Sequence, residues 1–162
     1  LTVTAPSFRQ YKAENVRVET ATVTRLDVSL SLGATSETVS VSATLPLLQT
    51  ETSSVGTTVN RNLLDKVPFQ LAGTNRDVLS FIRLVPGAGN APGNFNLTIA
   101  GGRQHTTEFL VDGVTNNYRG GIASPFSIRP SMTSVNEFRV ETAVAPAEFG
   151  RTSSGVVVMT TK

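Results

Sequence analysis

The chain has no cysteine, no tryptophan and a single histidine, and only 6% of its residues are aromatic. Without cysteine, disulfides, thiolate metal sites and cysteine nucleophiles are excluded, while the redox compartment is left open. The lone histidine, His105, has carboxylates near it only at Glu108 and Asp112, too few donors for a metal centre, which normally takes three or four ligands. Long apolar runs are missing as well. Nothing approaches the ~18 residues that a membrane-spanning helix needs. Nor is there a succession of alternating segments with aromatic ends, the weaker signal of outer-membrane strands, so this chain alone is not expected to cross a membrane.

Charge of one sign is also lacking. The net charge is +2, and beyond residue 100 Arg103, Arg119, Arg129, Arg139 and Arg151 alternate with Glu108, Asp112, Glu137, Glu141 and Glu148. A nucleic-acid binder concentrates basic residues on one face; here the signs are interspersed, and no nucleic-acid partner is expected. Lysine is scarce: of 14 basic residues only Lys12, Lys66 and Lys162 are not arginine. Arginine suits fixed, partly desolvated carboxylate pairs, which fits a surface lying against another protein wall; codon usage explains the bias equally well. A first residue of leucine with no basic-apolar leader reads as a fragment or processed chain without its own targeting signal.

Catalytic constellations are wanting too. Glu108 and Asp112 share one face of an extended strand, but no nucleophile or second general acid converges on them; Asp112 reads as a strand-end turn residue. Gly87-Ala-Gly89 lacks the spacing and preceding strand of a dinucleotide loop. Gly150-Arg-Thr-Ser-Ser-Gly155 does not match a nucleophile elbow. Asn96-Leu-Thr98 is a chance sequon. The reading is of a non-enzyme without a cofactor.

What is present is enough for one domain, or one domain with a small appendage. The 39% hydrophobic content allows a modest core. Residues 100–114 organise the rest: Thr107, Phe109 and Val111 point one way and Glu108, Leu110 and Asp112 the other, and Asp112-Gly113 signals a tight turn. Asn96–Ala100 predicts a neighbouring strand that meets the first near Gly101-Gly102, in the middle of the sheet. Val135–Thr142 and Gly155–Thr161 predict two more, with a turn at Ala147–Gly150.

Upstream, strands are predicted over Leu1–Thr4, Asn15–Glu19 and Leu26–Leu32, with Pro6–Lys12 a connection. Glu37–Ala43 alternates briefly. The Ser/Thr-rich residues 44–58 read as a linker, so a domain boundary falls between 34 and 58. Asn60 is predicted to cap a short helix carrying Leu63, Leu64 and Val67, stopped by Pro68. Thr74 or Asn75 caps a second with Val78, Leu79, Ile82 and Val85, ended by Pro86-Gly87. Residues 87–95 and 115–131 are irregular, and loops of such length are usually functional or disordered. The fold class is therefore α+β: a small mixed sheet with two short helices and a β-rich N-terminal extension.

Five motifs now fall in an order that resembles the plug domain of TonB-dependent outer-membrane receptors, of the kind preceded by a carboxypeptidase-regulatory-like β-domain. They are Leu84-Val-Pro-Gly87 after a helix, Ala100-Gly-Gly-Arg103, Phe109-Leu-Val-Asp-Gly-Val114, Val135-Asn-Glu-Phe-Arg-Val140, and the closing Ala147–Lys162. The resemblance implies three parts: residues 1–34 as the end of a regulatory-like β-sandwich, 35–50 as a TonB-box-like segment and linker, and 51–162 as the plug. It implies a place in the outer membrane of a Gram-negative cell, the plug inside its own C-terminal barrel and its N-terminal part periplasmic. TonB, of the TonB–ExbB–ExbD complex, would capture Glu37, Thr38, Val39, Ser40, Val41, Ser42 and Ala43.

Those seven residues also suit capture by strand addition, which needs an extended, slack segment with small alternating side chains; an ordinary edge strand is the alternative. By the same likeness Asn90, Asn94, Phe95, Asn116, Asn117, Tyr118 and Arg119 would lie on loops facing a small substrate, and Arg103 and Arg151 would contact the barrel. Without the resemblance, the residues also suit a secreted β-rich adhesion or carbohydrate-binding module.

Overall fold

The computed structural model describes residues 1–33, 38–42, 53–67, 77–90, 97–103, 105–118, 126–143 and 145–162. They fall into two compact units, Leu1–Thr52 and Ser53–Lys162. As expected, the fold is α+β, with mixed sheets and two short helices.

The first unit is a sheet of three strands in the order β1-β2-β3: β1 Thr2–Val3, β2 Gln10–Glu14 and β3 Thr38–Ser42. β1 is antiparallel to β2, and β3 is parallel to it, Gln10 facing Thr38 and Glu14 facing Ser42. Parallel pairing requires a long crossover, and residues 15–37 supply it. Asn15, at φ 57°, turns the chain out of β2. The predicted strand Asn15–Glu19 is therefore not formed, and β2 instead occupies part of the expected connection Pro6–Lys12. Leu26–Leu32 is not a ladder strand either; its alternation holds as far as Leu30, with Leu26, Val28 and Leu30 half-buried and Asp27, Ser29 and Ser31 exposed, but Leu32, expected on the same face, is exposed. The stretch lies over the unit as a one-sided segment, joined at its end by a bridge between Phe8 and Leu32. Among the described residues of this unit, Ala13 is the only apolar one that is buried.

The second unit is built on a five-stranded sheet in the order β4-β9-β10-β7-β8. β4 is Val55–Asn60, β7 Glu108–Val111, β8 Val114–Thr115, β9 Val135–Ala143 and β10 Val156–Thr161. All pairs are antiparallel except β7 with β10. β10 is thus the middle strand, not β7 as the sequence suggested. Val55–Thr58, expected in a linker, form most of an edge strand. A second, two-stranded sheet pairs β5, Ala88–Asn90, with β6, Leu97–Ile99. Residues 88–90 are therefore strand rather than loop, and β6 pairs with β5 rather than with β7.

Helix α1, Arg61–Lys66, has the expected cap: the Asn60 side chain accepts from Leu63 N–H at 3.1 Å. Helix α2, Val78–Ile82, is capped by Asp77, without a side-chain hydrogen bond; Thr74 and Asn75 lie outside the described residues. Every residue of α2 is buried.

The two faces of the main sheet differ, as period-two alternation dictates. Val59, Phe109, Phe138, Val140, Val157 and Met159 belong to the hydrophobic core, together with Leu64 of α1, residues of α2, Val85, Leu97 and Ile99. Phe109 meets Phe126 edge to face, with ring centroids 4.7 Å apart. In the other row Glu141, Val156 and Glu108 stand side by side across β9, β10 and β7, and all three are buried. The β5–β6 hairpin reaches this sheet where Gly155 opens β10. A Cβ there would stand 2.3 Å from Ile99 Cγ2 and 2.6 Å from Glu141 O, so only glycine permits the approach.

Candidate functional site

Three regions carry the residues singled out in the sequence. The first is β3. Thr38–Ser42 form the outer strand of the three-stranded sheet, paired on one side with β2. Its other edge bears no partner among the described residues, and Thr38, Val39 and Ser40 are exposed. A parallel ladder engages alternate residues of a strand, and the rest direct their N–H and C=O groups outward. Glu37 and Ala43 lie outside the described residues.

The second region follows the β7–β8 hairpin, whose two-residue turn has Asp112 at φ 49° and Gly113 at φ 81°, the primed geometry that matches strand twist. Asn116 and Asn117, expected on a substrate-facing loop, spend their amides on the protein's own backbone. Asn117 accepts from Phe109 N–H at 2.7 Å and donates to Thr107 O at 2.9 Å. Asn116 donates to Ile128 O at 2.7 Å and accepts from Ile128 N–H at 2.9 Å. A bridge between Asn117 and Phe126 closes the segment. The two ends of this long connection are therefore clamped, and Tyr118 is exposed where it leaves the clamp. Asn94, Phe95 and Arg119 lie outside the described residues; Asn90 ends β5 opposite Leu97.

The third region joins two stretches far apart in sequence. The Thr152 hydroxyl bonds to Thr106 O at 2.8 Å and to Gly155 O at 2.9 Å. The Ser154 hydroxyl donates to Ile99 O at 2.6 Å. Between the joined segments lies an open cleft of 920 Å³, lined by His105, Thr106, Gly150, Arg151, Thr152 and Ser153. Arg103 stands at the base of one segment, and both it and Arg151 are exposed. The sequence grouped Arg103 and Arg151 only as expected barrel contacts and set His105 aside; no local pattern announces that residue 106 meets residue 152.

Charged groups elsewhere serve the scaffold. Arg139 and Glu141, each 1% exposed, pair at 2.5 Å on one face of β9, and Arg139 also reaches Thr58 Oγ1 on β4 at 3.1 Å. Asp112 accepts from Thr161. That backbone N–H first, and then the Thr161 hydroxyl, hold its carboxyl below the usual carboxylate range. Among the described residues no three carboxylate or imidazole groups converge in a way that could hold a metal ion.

No protein-family model matches the chain. Comparison with curated proteins finds similarity to a transporter of the TonB-dependent class. The relative is the TonB-dependent transporter Oar of Myxococcus xanthus, 27% identical over 161 residues. The match takes in 96% of this chain but only 15% of the relative, so the chain spans about a seventh of that protein's length.

Proposed function

We propose that this chain is the gate of a TonB-dependent outer-membrane transporter, together with the segment that couples the gate to TonB. The observation that carries the reading is the similarity of nearly the whole chain to a stretch of one such transporter. A compact sheet-and-helix unit, with three of the ordered motifs on β7, β9 and β10 and the other two in the connections after α2 and β6, suits a plug held inside a barrel. In this reading residues 51–162 are the plug, which occludes the barrel. Residues 1–34 are the end of a regulatory-like β-sandwich, which agrees with a first unit almost without a core of its own. The loops about Asn90–Phe95 and Asn116–Arg119 face a small substrate, Arg103 and Arg151 meet the barrel, and the chain works in the outer membrane without catalysing a reaction.

Coupling to TonB falls to Glu37–Ala43. The support is the open edge of β3, where an incoming strand finds unpaired main-chain groups and small side chains. The test is binding of the full chain to the periplasmic C-terminal domain of TonB, with Ser40→Pro and Val41→Pro compared. Each removes one N–H, and adjacent residues point theirs to opposite edges. One substitution should abolish binding and the other weaken it less. If both variants bind like the parent chain, TonB docks elsewhere and the coupling assignment is lost.

A further inference from the structure

We propose that the cleft lined by His105, Thr106 and residues 150–153 is an oxyanion-binding site. Its recognition groups are the Arg151 guanidinium, the His105 imidazole and the Ser153 hydroxyl, and its ligand class is small molecules bearing phosphate or multiple carboxylates. The proposal does not depend on the gate reading and replaces one part of it: Arg151, given there to the barrel, is here a ligand group.

The Thr106 hydroxyl is spent on Arg103 O at 2.6 Å and that of Thr152 on Thr106 O and Gly155 O. The backbone N–H groups of Ser153 and Ser154 are occupied by Thr106 O and Thr152 Oγ1. These bonds fix the walls and leave His105, Arg151 and Ser153 with side-chain donors unused among the described residues. Among the described residues no carboxylate lines the cleft.

The rest of the second unit sharpens the contrast. Arg61 pairs with Asp65, Arg129 with Asp77 and Arg139 with Glu141, and Arg83 has interactions of its own. Of this unit's described arginines only Arg103 and Arg151 have a guanidinium with no acidic or hydrogen-bonding partner among the described residues, and Arg151 lines the cleft.

His105 adds a conformational observation. Its φ of 63° is a left-handed conformation that costs a residue with a Cβ roughly 1–2 kcal/mol, and such outliers concentrate at ligand-holding sites. A planar guanidinium fork, an imidazole and a hydroxyl lining one cleft suit a tetrahedral or carboxylate oxyanion, which accepts several charge-assisted hydrogen bonds at once.

Because His105 is the chain's single histidine, its ring resonances report on the cleft without ambiguity. The experiment titrates inorganic phosphate, and separately citrate, into the isotope-labelled full chain at an ionic strength held constant with sodium chloride. A saturable shift of the His105 ring is expected. Its apparent affinity should fall about tenfold or more in Arg151→Gln, the loss of one charge-assisted hydrogen bond. Saturation by phosphate alone assigns a phosphoryl ligand, by citrate alone a polycarboxylate, and by both the shared chemistry. His105→Asn, which tolerates the same φ, provides a second variant read through the Ser153 amide. Shifts that chloride reproduces, or an affinity unchanged in both variants, overturn the proposal.

Discussion

Asp112 holds the end of the central strand by two bonds to one residue: Thr161 donates its N–H at 2.8 Å to one carboxylate oxygen and its hydroxyl at 2.7 Å to the other. The turn of the β7–β8 hairpin is thereby fastened to the last residues of β10. Both bonds need the ionised carboxylate as acceptor, and they lower its pKa below the ordinary 3.8. A carboxyl whose pKa is lower folded than unfolded stabilises the fold above the unfolded value, and that stabilisation disappears as pH falls through the folded one. Asp112→Asn should therefore lower the thermal midpoint at neutral pH. The gap from the parent should close as pH drops below 3.8, measured by circular dichroism; a gap independent of pH would show that the charge is not the cause.

The buried pair on β9 should behave asymmetrically. Removing one partner strands an uncompensated charge and costs about 3–5 kcal/mol, whereas replacing both by apolar residues of similar volume is often neutral or stabilising. Arg139→Met should thus destabilise strongly in urea unfolding, and Arg139→Met with Glu141→Leu should recover most of the loss.

Gly155→Ala should cost about 1–3 kcal/mol by overpacking, since the added methyl meets Ile99 and the Glu141 carbonyl. The same change at Gly101, where a Cβ would meet nothing within 4 Å but φ is positive, as it is not at Gly155, tests the backbone cost alone. A larger loss at 155 than at 101 identifies packing as the cause.

The two units should differ in autonomy. A chain of residues 53–162 carries the clustered core and should unfold cooperatively. One of residues 1–52, whose described part buries only Ala13 among apolar residues, should show no cooperative transition, in keeping with how little stability small isolated sheets possess. A sharp calorimetric peak from residues 1–52 would refute this.

Legibility in the sequence tracked how local the cause of each element is. α1 announced itself through Asn60, and β7, β9 and β10 through alternation that the core enforces. β4 did not: its first four residues, Val55-Gly-Thr-Thr58, read as linker, and they are strand because β9 offers them an edge. β2 and β5 were missed for the same reason, their partners being set by tertiary pairing rather than by pattern. Leu26–Leu32 shows the converse, perfect alternation with one face half-covered and no ladder. The cleft was illegible because Thr106 and Thr152 meet only after the chain has folded back. The two asparagines of the 115–131 stretch were found, but only the structure shows their amides turned inward.

β4 and β10 run in the same direction on either side of β9, which puts Val55 and Lys162 at opposite ends of the sheet. Tension applied between these points therefore drags β4 lengthwise along β9. All the rungs of that ladder share the load, where peeling would break them one after another. The unit should resist to a sharp threshold in single-molecule extension and then release β4 whole, laying open the edge of β9 and the charged pair behind it. Pulled across the strands, from Asn60 against Glu137, the same bonds should part at much lower force.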